Sequence, residues 1–195
     1  MGEWPDDFDM PDQVFVRDNP DASEIAARDQ FNRDNPPLTG LVVPEDLRTI
    51  ELVKRPWRNN KGLWFELADN RVLSSHLAEL APGTNSVRHR HTTEAYIYVV
   101  AGEGYSIINY EGQPEQRVDW REGMLFSPPV WAWHQHFNSS DTQTVRYLAI
   151  QDTGLIRHMR FHQIERHPTQ LKIGEGTDYV VDAVGAESRE TAEIT

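Results

Sequence analysis

The sequence predicts an all-β protein, a β-sandwich or small barrel preceded by an arm and short helices, and three observations carry that prediction. Ten short apolar stretches follow one another between Trp64 and Ile164, with turn signals roughly every 8–12 residues. The 195 residues include 12 glycines and 12 prolines, which favours strands and turns over a helical bundle. Two histidine pairs, His89/His91 and His134/His136, stand in two of the stretches, and residues i and i+2 of a strand point to one face.

Taken in order, residues 1–60 read as an N-terminal arm with short helices, 61–173 as the barrel and 174–195 as an acidic C-terminal segment. Pro5, Pro11 and Pro20 punctuate a polar arm with one candidate strand at 13–17. Asp21-Ala22-Ser23-Glu24 reads as a helix start, with Asp21 as N-cap and Glu24 at N3. That helix runs to about Arg33, and Asn35-Pro36-Pro37 stops it. Pro44-Glu45-Asp46 opens a second short helix through Val53. Strands are then expected at 64–68, 72–80, 87–91, 95–100, 105–110, 116–120, 124–127, 133–138, 145–151 and 159–164. Pro82-Gly83, Gly102-Glu103-Gly104, Glu111-Gly112 and Arg121-Glu122-Gly123 supply turns between them. An edge strand at 179–184 precedes a frayed tail. No internal repeat is visible, so one copy of the barrel is expected.

The net charge of −12 is placed at the ends. Residues 1–35 carry ten acids and three arginines, 174–195 carry six acids and one arginine, and 36–173 carry fifteen charges of each sign. Such ends are solvated, and no basic footprint for nucleic acid remains. With no cysteine, the chain has no disulfide or thiolate site, so a metal must be held by nitrogen and oxygen. There is no 18-residue apolar stretch and no signal-peptide pattern. The expectation is a soluble cytoplasmic protein without a membrane partner.

The histidine pairs carry the chemistry. Each pair aims two imidazoles to one side of a strand, and neutral imidazole is a common ligand for iron, copper, nickel and zinc. Three neutral imidazoles would leave Fe²⁺ its full charge and about three open positions, as in the facial triad of non-haem iron oxygenases with His in place of the carboxylate.

The two stretches around these pairs resemble the two signature motifs of the cupin superfamily, whose fold is a jelly-roll (double-stranded β-helix) barrel. Gly83, His89, His91, Glu94 and Gly102 match the first motif, and Gly123, Pro129, His134 and Asn138 match the second. The resemblance covers residues 72–152. His89-Arg90-His91-Thr92 and Trp131-Ala132-Trp133-His134-Gln135-His136 are similar to the gentisate 1,2-dioxygenase branch. That resemblance implies iron held by His89, His91 and His134. Two positions depart from the pattern. Glu94 follows His91 with two residues between, where general cupins leave three or four, so it is either a ligand through an adjusted turn or a turn carboxylate. Trp131 stands where the second motif has glycine. Members of that branch also carry two barrels, and this sequence reads as one.

The resemblance implies a non-haem Fe(II)-dependent dioxygenase, with Mn, Ni and Zn as alternative metals. It would use O2 to cleave a C–C bond of a small hydroxylated aromatic acid or a related enolisable compound. Two other readings stay open: a metal-dependent isomerase or lyase without O2 chemistry, and a non-catalytic cupin that binds a small molecule. His136 and Glu94 are the candidate catalytic groups, since either could act as a base. Tyr96, Tyr98, Trp133 and Gln151 are candidate substrate contacts by strand position. Packing is the default role for Trp131 and Trp133. His76 reads as structural and His158, His162 and His167 as surface residues. Arg88 and Arg90, on the strand face opposite the ligands, are expected to pair with acids. A homodimer, built through the arm, is the expected assembly.

Overall fold

A computed structural model describes residues 22–168, 179–181 and 188–190. The strand expected at 13–17 and the N-cap at Asp21 lie outside the described residues. Helix α1 spans Ala22–Asp34. It ends where Asn35 turns back on Phe31, whose carbonyl accepts both the Asn35 backbone N–H (2.8 Å) and its side-chain amide (3.2 Å). Pro36-Pro37 then prevents continuation.

Twelve strands follow up to residue 168: β1 (Leu38–Gly40), β2 (Val53–Arg55), β3 (Asn60–Leu67), β4 (Ser74–Leu80), β5 (His89–His91), β6 (Ala95–Ala101), β7 (Glu103–Asn109), β8 (Gln116–Arg121), β9 (Leu125–Phe126), β10 (Trp133–Asn138), β11 (Val145–Gln151) and β12 (Ile164–Arg166). A short helix, α2, covers Thr153–His158. Strands β13 (Tyr179–Val181) and β14 (Ser188–Glu190) pair with each other. Among the described residues, no helix is long and apolar enough to cross a membrane.

The body is two sheets. The larger has the order β1-β3-β4-β11-β6-β9, with β2 also on β3; the smaller has the order β12-β5-β10-β7-β8. Alternation explains which side chains face inward. In β6, Ala95, Ile97 and Val99 are buried, while Tyr96 and Tyr98 are exposed. In β11, Val145, Tyr147, Ala149 and Gln151 are buried. These inward rows meet Trp120 of β8 from the opposite sheet, and Trp120 stacks on Phe126 at 5.8 Å. The outer face of the large sheet has a second core. Ile50 and Leu52 cover Phe65, Leu77 and Val100 there. Part of the stretch expected to be an arm is therefore integral: β1 and β2 are strands of the large sheet.

Two sequence expectations are corrected. The helix expected from Pro44 through Val53 is a single turn, in which Asp46 O accepts from Thr49 N and Ile50 N, both at 2.9 Å. The Arg146 guanidinium takes the carbonyls of Leu47 (3.1 Å) and Ile50 (2.9 Å), which a continuing helix would use, and pairs with buried Glu79 at 2.7 Å. The strand expected at 159–164 is instead the end of α2, a loop and the start of β12. Arg160 adopts φ 61°. Phe161 N bonds Ile156 O (2.9 Å) and Arg160 N bonds Arg157 O (3.0 Å), the Schellman closure of a helix. That closure is usually marked by glycine, so its signal is hidden in an arginine.

Asn138, the last motif residue, is 1% exposed and ties three segments together. Its amide donates to Leu80 O (3.2 Å), Ala81 O (3.0 Å) and Gln143 O (2.8 Å), and its carbonyl accepts from Ser140 N (2.9 Å). Removing a partner from buried polar groups costs each of them its desolvation. Asn138→Ala is expected to lower unfolding free energy by about 3 kcal/mol, read from the urea midpoint. A midpoint unchanged from wild type would show that water replaces the amide.

Candidate metal centre

The centre is made by neighbouring strands. Strands β5 and β10 pair antiparallel with His134 opposite His89, and His91 lies two residues on along the same face. The ring centroids of His134 lie 4.3 Å from His89 and 4.9 Å from His91. One nitrogen from each of the three rings falls within 4.8 Å of the others. His91 and His134 are buried and His89 is partly buried.

Each of these rings is oriented by its other nitrogen. His89 Nδ1 contacts Val87 O (2.8 Å), His91 Nδ1 contacts Thr93 O (2.8 Å) and His134 Nδ1 contacts Ala132 O (2.9 Å). A carbonyl only accepts, so each Nδ1 carries the proton and each Nε2 presents a lone pair. This is the arrangement that fixes tautomer and aim in histidine metal ligands. Burial lowers all three histidines, His134 to about 4 and the other two well below the usual 6.5, with the Arg58 charge adding to the effect in each. At neutral pH the three are therefore neutral donors. The donor set suits a divalent ion of imidazole preference, with no carboxylate contributed by the described residues.

His136 differs in its partner. Its Nδ1 lies 2.7 Å from Ser106 Oγ, which also accepts the Trp120 Nε1–H (2.8 Å). With one lone pair taken by Trp120, the Ser106 hydroxyl has a proton to place, and His136 Nδ1 is the acceptor at hand. The network then puts the His136 proton on Nε2, the opposite tautomer from the triad. Its ring packs between Phe126 (5.9 Å) and Tyr147 (5.1 Å).

The cavity in front of the triad is lined by Arg28, Arg55 and Arg58, by Trp57, Trp64, Asn60 and His76, and by Thr93, Gln151 and His162 among others; no Asp or Glu of the described residues lines it. Sequence reasoning missed the three arginines because α1 and the β2–β3 turn carry no motif. The one available signal was the cluster Lys54-Arg55-Pro56-Trp57-Arg58.

The other expected site residues divide clearly. Gln151 lines the cavity, and its amide reaches Thr93 Oγ1 at 3.4 Å. Tyr96 and Tyr98 point outward, 63% and 43% exposed. Glu94 is exposed and borders a separate outer groove with Tyr96 and Pro129. Trp133 faces away from the triad: its indole donates to Glu111 Oε2 (2.8 Å) and its ring lies 4.2 Å from the Arg90 guanidinium. His162, expected on the surface, instead lines the cavity, and burial lowers it to about 3. His158 is exposed as expected. Arg88 and Arg90 pair with Glu115 and Glu165, as their strand face implied. Trp131 takes φ 61°, the left-handed backbone that explains glycine at this motif position, and its N–H donates to His91 O at 3.0 Å. Stacking on Arg90 at 4.6 Å offsets that strain.

A family model described as a cupin domain matches residues 76–151. Residues 76–151 are a cupin domain. Among curated proteins, the chain is similar to 5-aminosalicylate 1,2-dioxygenase of Comamonas sp, 27% identical over 53% of this chain and 27% of the relative. It is also similar to gentisate 1,2-dioxygenase of Ralstonia sp, 31% identical over 50% of this chain and 26% of the relative. The matched region thus spans about a quarter of each relative's length. A mutant salicylate 1,2-dioxygenase from Pseudoaminobacter salicylatoxidans superposes with a TM-score of 0.50 at 20% identity, over 86% of this chain and 40% of its own, a likeness of fold.

The buried histidines make stability pH-dependent. Each is neutral when folded and binds a proton more readily when unfolded, so its contribution is complete above about pH 6.5 and is lost as pH falls toward the folded value. His134 alone, lowered to about 4, accounts for a loss of about 3 kcal/mol by pH 4. Urea unfolding of the metal-free chain is expected to show a midpoint falling steadily below pH 6.5. A flat profile between pH 7 and 5 would mean that the imidazoles are solvated.

Proposed function

We propose that this cupin is an Fe(II)-dependent dioxygenase that cleaves a C–C bond of a small, anionic, enolisable or hydroxylated aromatic acid. The observation that carries the reading is the coincidence of three neutral imidazole donors with an arginine-lined cavity to which no described residue contributes a carboxylate. The named relatives, all dioxygenases of hydroxylated or amino-substituted benzoates by description, support the same class.

His89, His91 and His134 would hold the ion, with Mn, Ni or Zn as alternatives. Fe(II) held there would supply Lewis acidity and redox chemistry toward O2 for an enolisable or hydroxylated acid. Arg58, whose charge acts on all three ligands, attracts the substrate carboxylate. His136 presents Nε2–H toward the cavity, where it can donate a hydrogen bond to a substrate oxygen. Gln151, braced by Thr93, offers a further polar contact. Trp57, Ile97 and Pro128 exclude water from the same space. Glu94 stands outside this arrangement, so the polar group facing the substrate in this scheme is His136, acting as a donor.

A homodimer is proposed on a different surface from the arm. Tyr96, Tyr98, Leu125 and Ile150 are exposed together on the outer side of β6, β9 and β11, a patch of the kind that marks an interface. Sedimentation is expected to give twice the chain mass, and Tyr98→Asp is expected to give one chain mass. A monomeric wild type contradicts the proposal.

Oxygen uptake by the anaerobically Fe(II)-loaded chain is the functional test, run against hydroxybenzoates, hydroxynaphthoates and β-diketones. Uptake coupled to one compound and lost in His134→Ala is expected. Arg58→Gln is expected to raise KM about 10- to 100-fold for an acid substrate, the worth of a charge-assisted contact. Iron retained by His134→Ala, or no uptake with any acid, would contradict the reading and favour an isomerase or lyase.

A further inference from the structure

We propose that Ser106 and Trp120 are positioning residues that hold His136 as a one-way hydrogen-bond donor, so that the substrate must present an acceptor oxygen, a carbonyl or a phenolate, at that point of the cavity. The inference rests on the proposed function for its substrate. The direction of the hydrogen bonds stands on the fold alone.

A hydroxyl between two nitrogens can point either way unless one of them fixes it. Here the first member of the chain removes the choice, because an indole N–H donates and never accepts. Trp120 Nε1–H donates to Ser106 Oγ at 2.8 Å, and Ser106 Oγ lies 2.7 Å from His136 Nδ1. Ser106 is wholly buried. Among the described residues, its hydrogen meets no acceptor but that ring nitrogen. Were His136 Nδ1 the donor, the serine would receive two N–H groups and its own hydrogen would be buried unpaired, the costly case. The chain therefore runs from Trp120 through Ser106 to His136 Nδ1, and the ring carries its hydrogen on Nε2. His136 lines the cavity. A proton on Nε2 also withholds this fourth imidazole from the group that His89, His91 and His134 form without it.

The strands are built for this approach. Ser106 of β7 stands opposite His136 of β10, and Gly104 of β7 stands opposite Trp120 of β8. Gly104 and Ser106 share one face of β7. The indole lies across Gly104 on its way to the serine. A Cβ on Gly104 would lie 2.7 Å from Trp120 Cζ3 and nearer still to Cη2, so a larger residue there would displace the ring. Phe126 stacks on the other side of the chain's first member, at 5.8 Å between ring centroids. The three metal ligands differ in this respect. Each of them meets a backbone carbonyl at Nδ1, which can only accept, whereas His136 meets a hydroxyl that is made to donate.

Two-bond proton–nitrogen correlation spectra of the metal-free full chain, labelled with 15N-histidine at neutral pH, read which ring nitrogen carries the proton. His136→Gln identifies the His136 signals by their loss. The wild type is expected to show Nε2–H at His136 and Nδ1–H at His89, His91 and His134. Trp120→Phe keeps an aromatic ring and the serine but frees a lone pair on Ser106 Oγ. It is expected to give both tautomers at His136 and to leave the other three rings unchanged. The second readout is salicylate titrated calorimetrically into the Co(II)-loaded full chain. Trp120→Phe is expected to weaken salicylate about 5- to 10-fold, the worth of one hydrogen bond. In the His136→Gln background, where an amide donates without help from the serine, the same change is expected to cost nothing further. A proton on Nδ1 or on both nitrogens of His136 in the wild type overturns the proposal. So does an unchanged tautomer in Trp120→Phe, no loss of salicylate affinity in that variant, or an equal loss in both backgrounds. Should Trp120→Phe fail to fold, the wild-type spectrum still decides. A chain that takes no cobalt or binds no salicylate contradicts the proposed function instead, and the donor is then judged on the tautomer, which is read without metal or ligand.

Discussion

The pairing of β5 with β10 is the constraint on which the rest of the structure depends. It sets His134 across from His89, and the pleat does the remainder by keeping His91 and His136 on the same side. Strand register has a period of two, so a slip by one residue would turn the imidazoles outward and Arg90, Trp133 and Gln135 inward. Elements far from the metal hold that register. Trp131 bonds the carbonyl of His91 through a left-handed turn. Arg90 pairs with Glu165 of β12 and lies between two indoles on the outer face. The outer face thus works as a clamp for the inner one.

Desolvation is the second theme, and it acts on both parts of the candidate site. Five histidines enclosed between the sheets or against the cavity wall, His76, His89, His91, His134 and His136, all have their proton affinity lowered chiefly by burial. Keeping them neutral costs stability in acid but leaves nitrogen lone pairs available for a cation. The arginines cannot neutralise in the same way, because guanidinium stays charged at any ordinary pH. Three of them, Arg28, Arg55 and Arg58, line the cavity of a protein whose net charge is −12.

Much of this was legible in the sequence where one local rule decided the outcome. The limits of β10 and β11 match the expectation, because alternation and flanking turns agree there. The two histidine pairs were legible because i, i+2 spacing is a local statement, and the family resemblance singled out His89, His91 and His134 among them. What escaped was set by distant partners. Arg146 stops a helix at 47–50 by binding carbonyls almost a hundred residues away. Helix α2 closes on Arg160 rather than on glycine. Tyr96 and Tyr98 were chosen by strand position, but a strand has two faces, and the row containing Ile97 and Val99 is the one that faces the opposite sheet. Arg28, Arg55 and Arg58 reach the cavity from elements without motif or period, and only the fold brings them there.

X-ray absorption at the metal edge of the Fe(II)-loaded chain tests the central claim most directly, because outer-shell scattering from imidazole counts the rings on the ion. The account predicts scattering from three imidazoles in the wild type, from two or none in His134→Ala, and an unchanged spectrum in Glu94→Ala. A wild-type spectrum with one imidazole or none, or one altered by the Glu94 substitution, would contradict it.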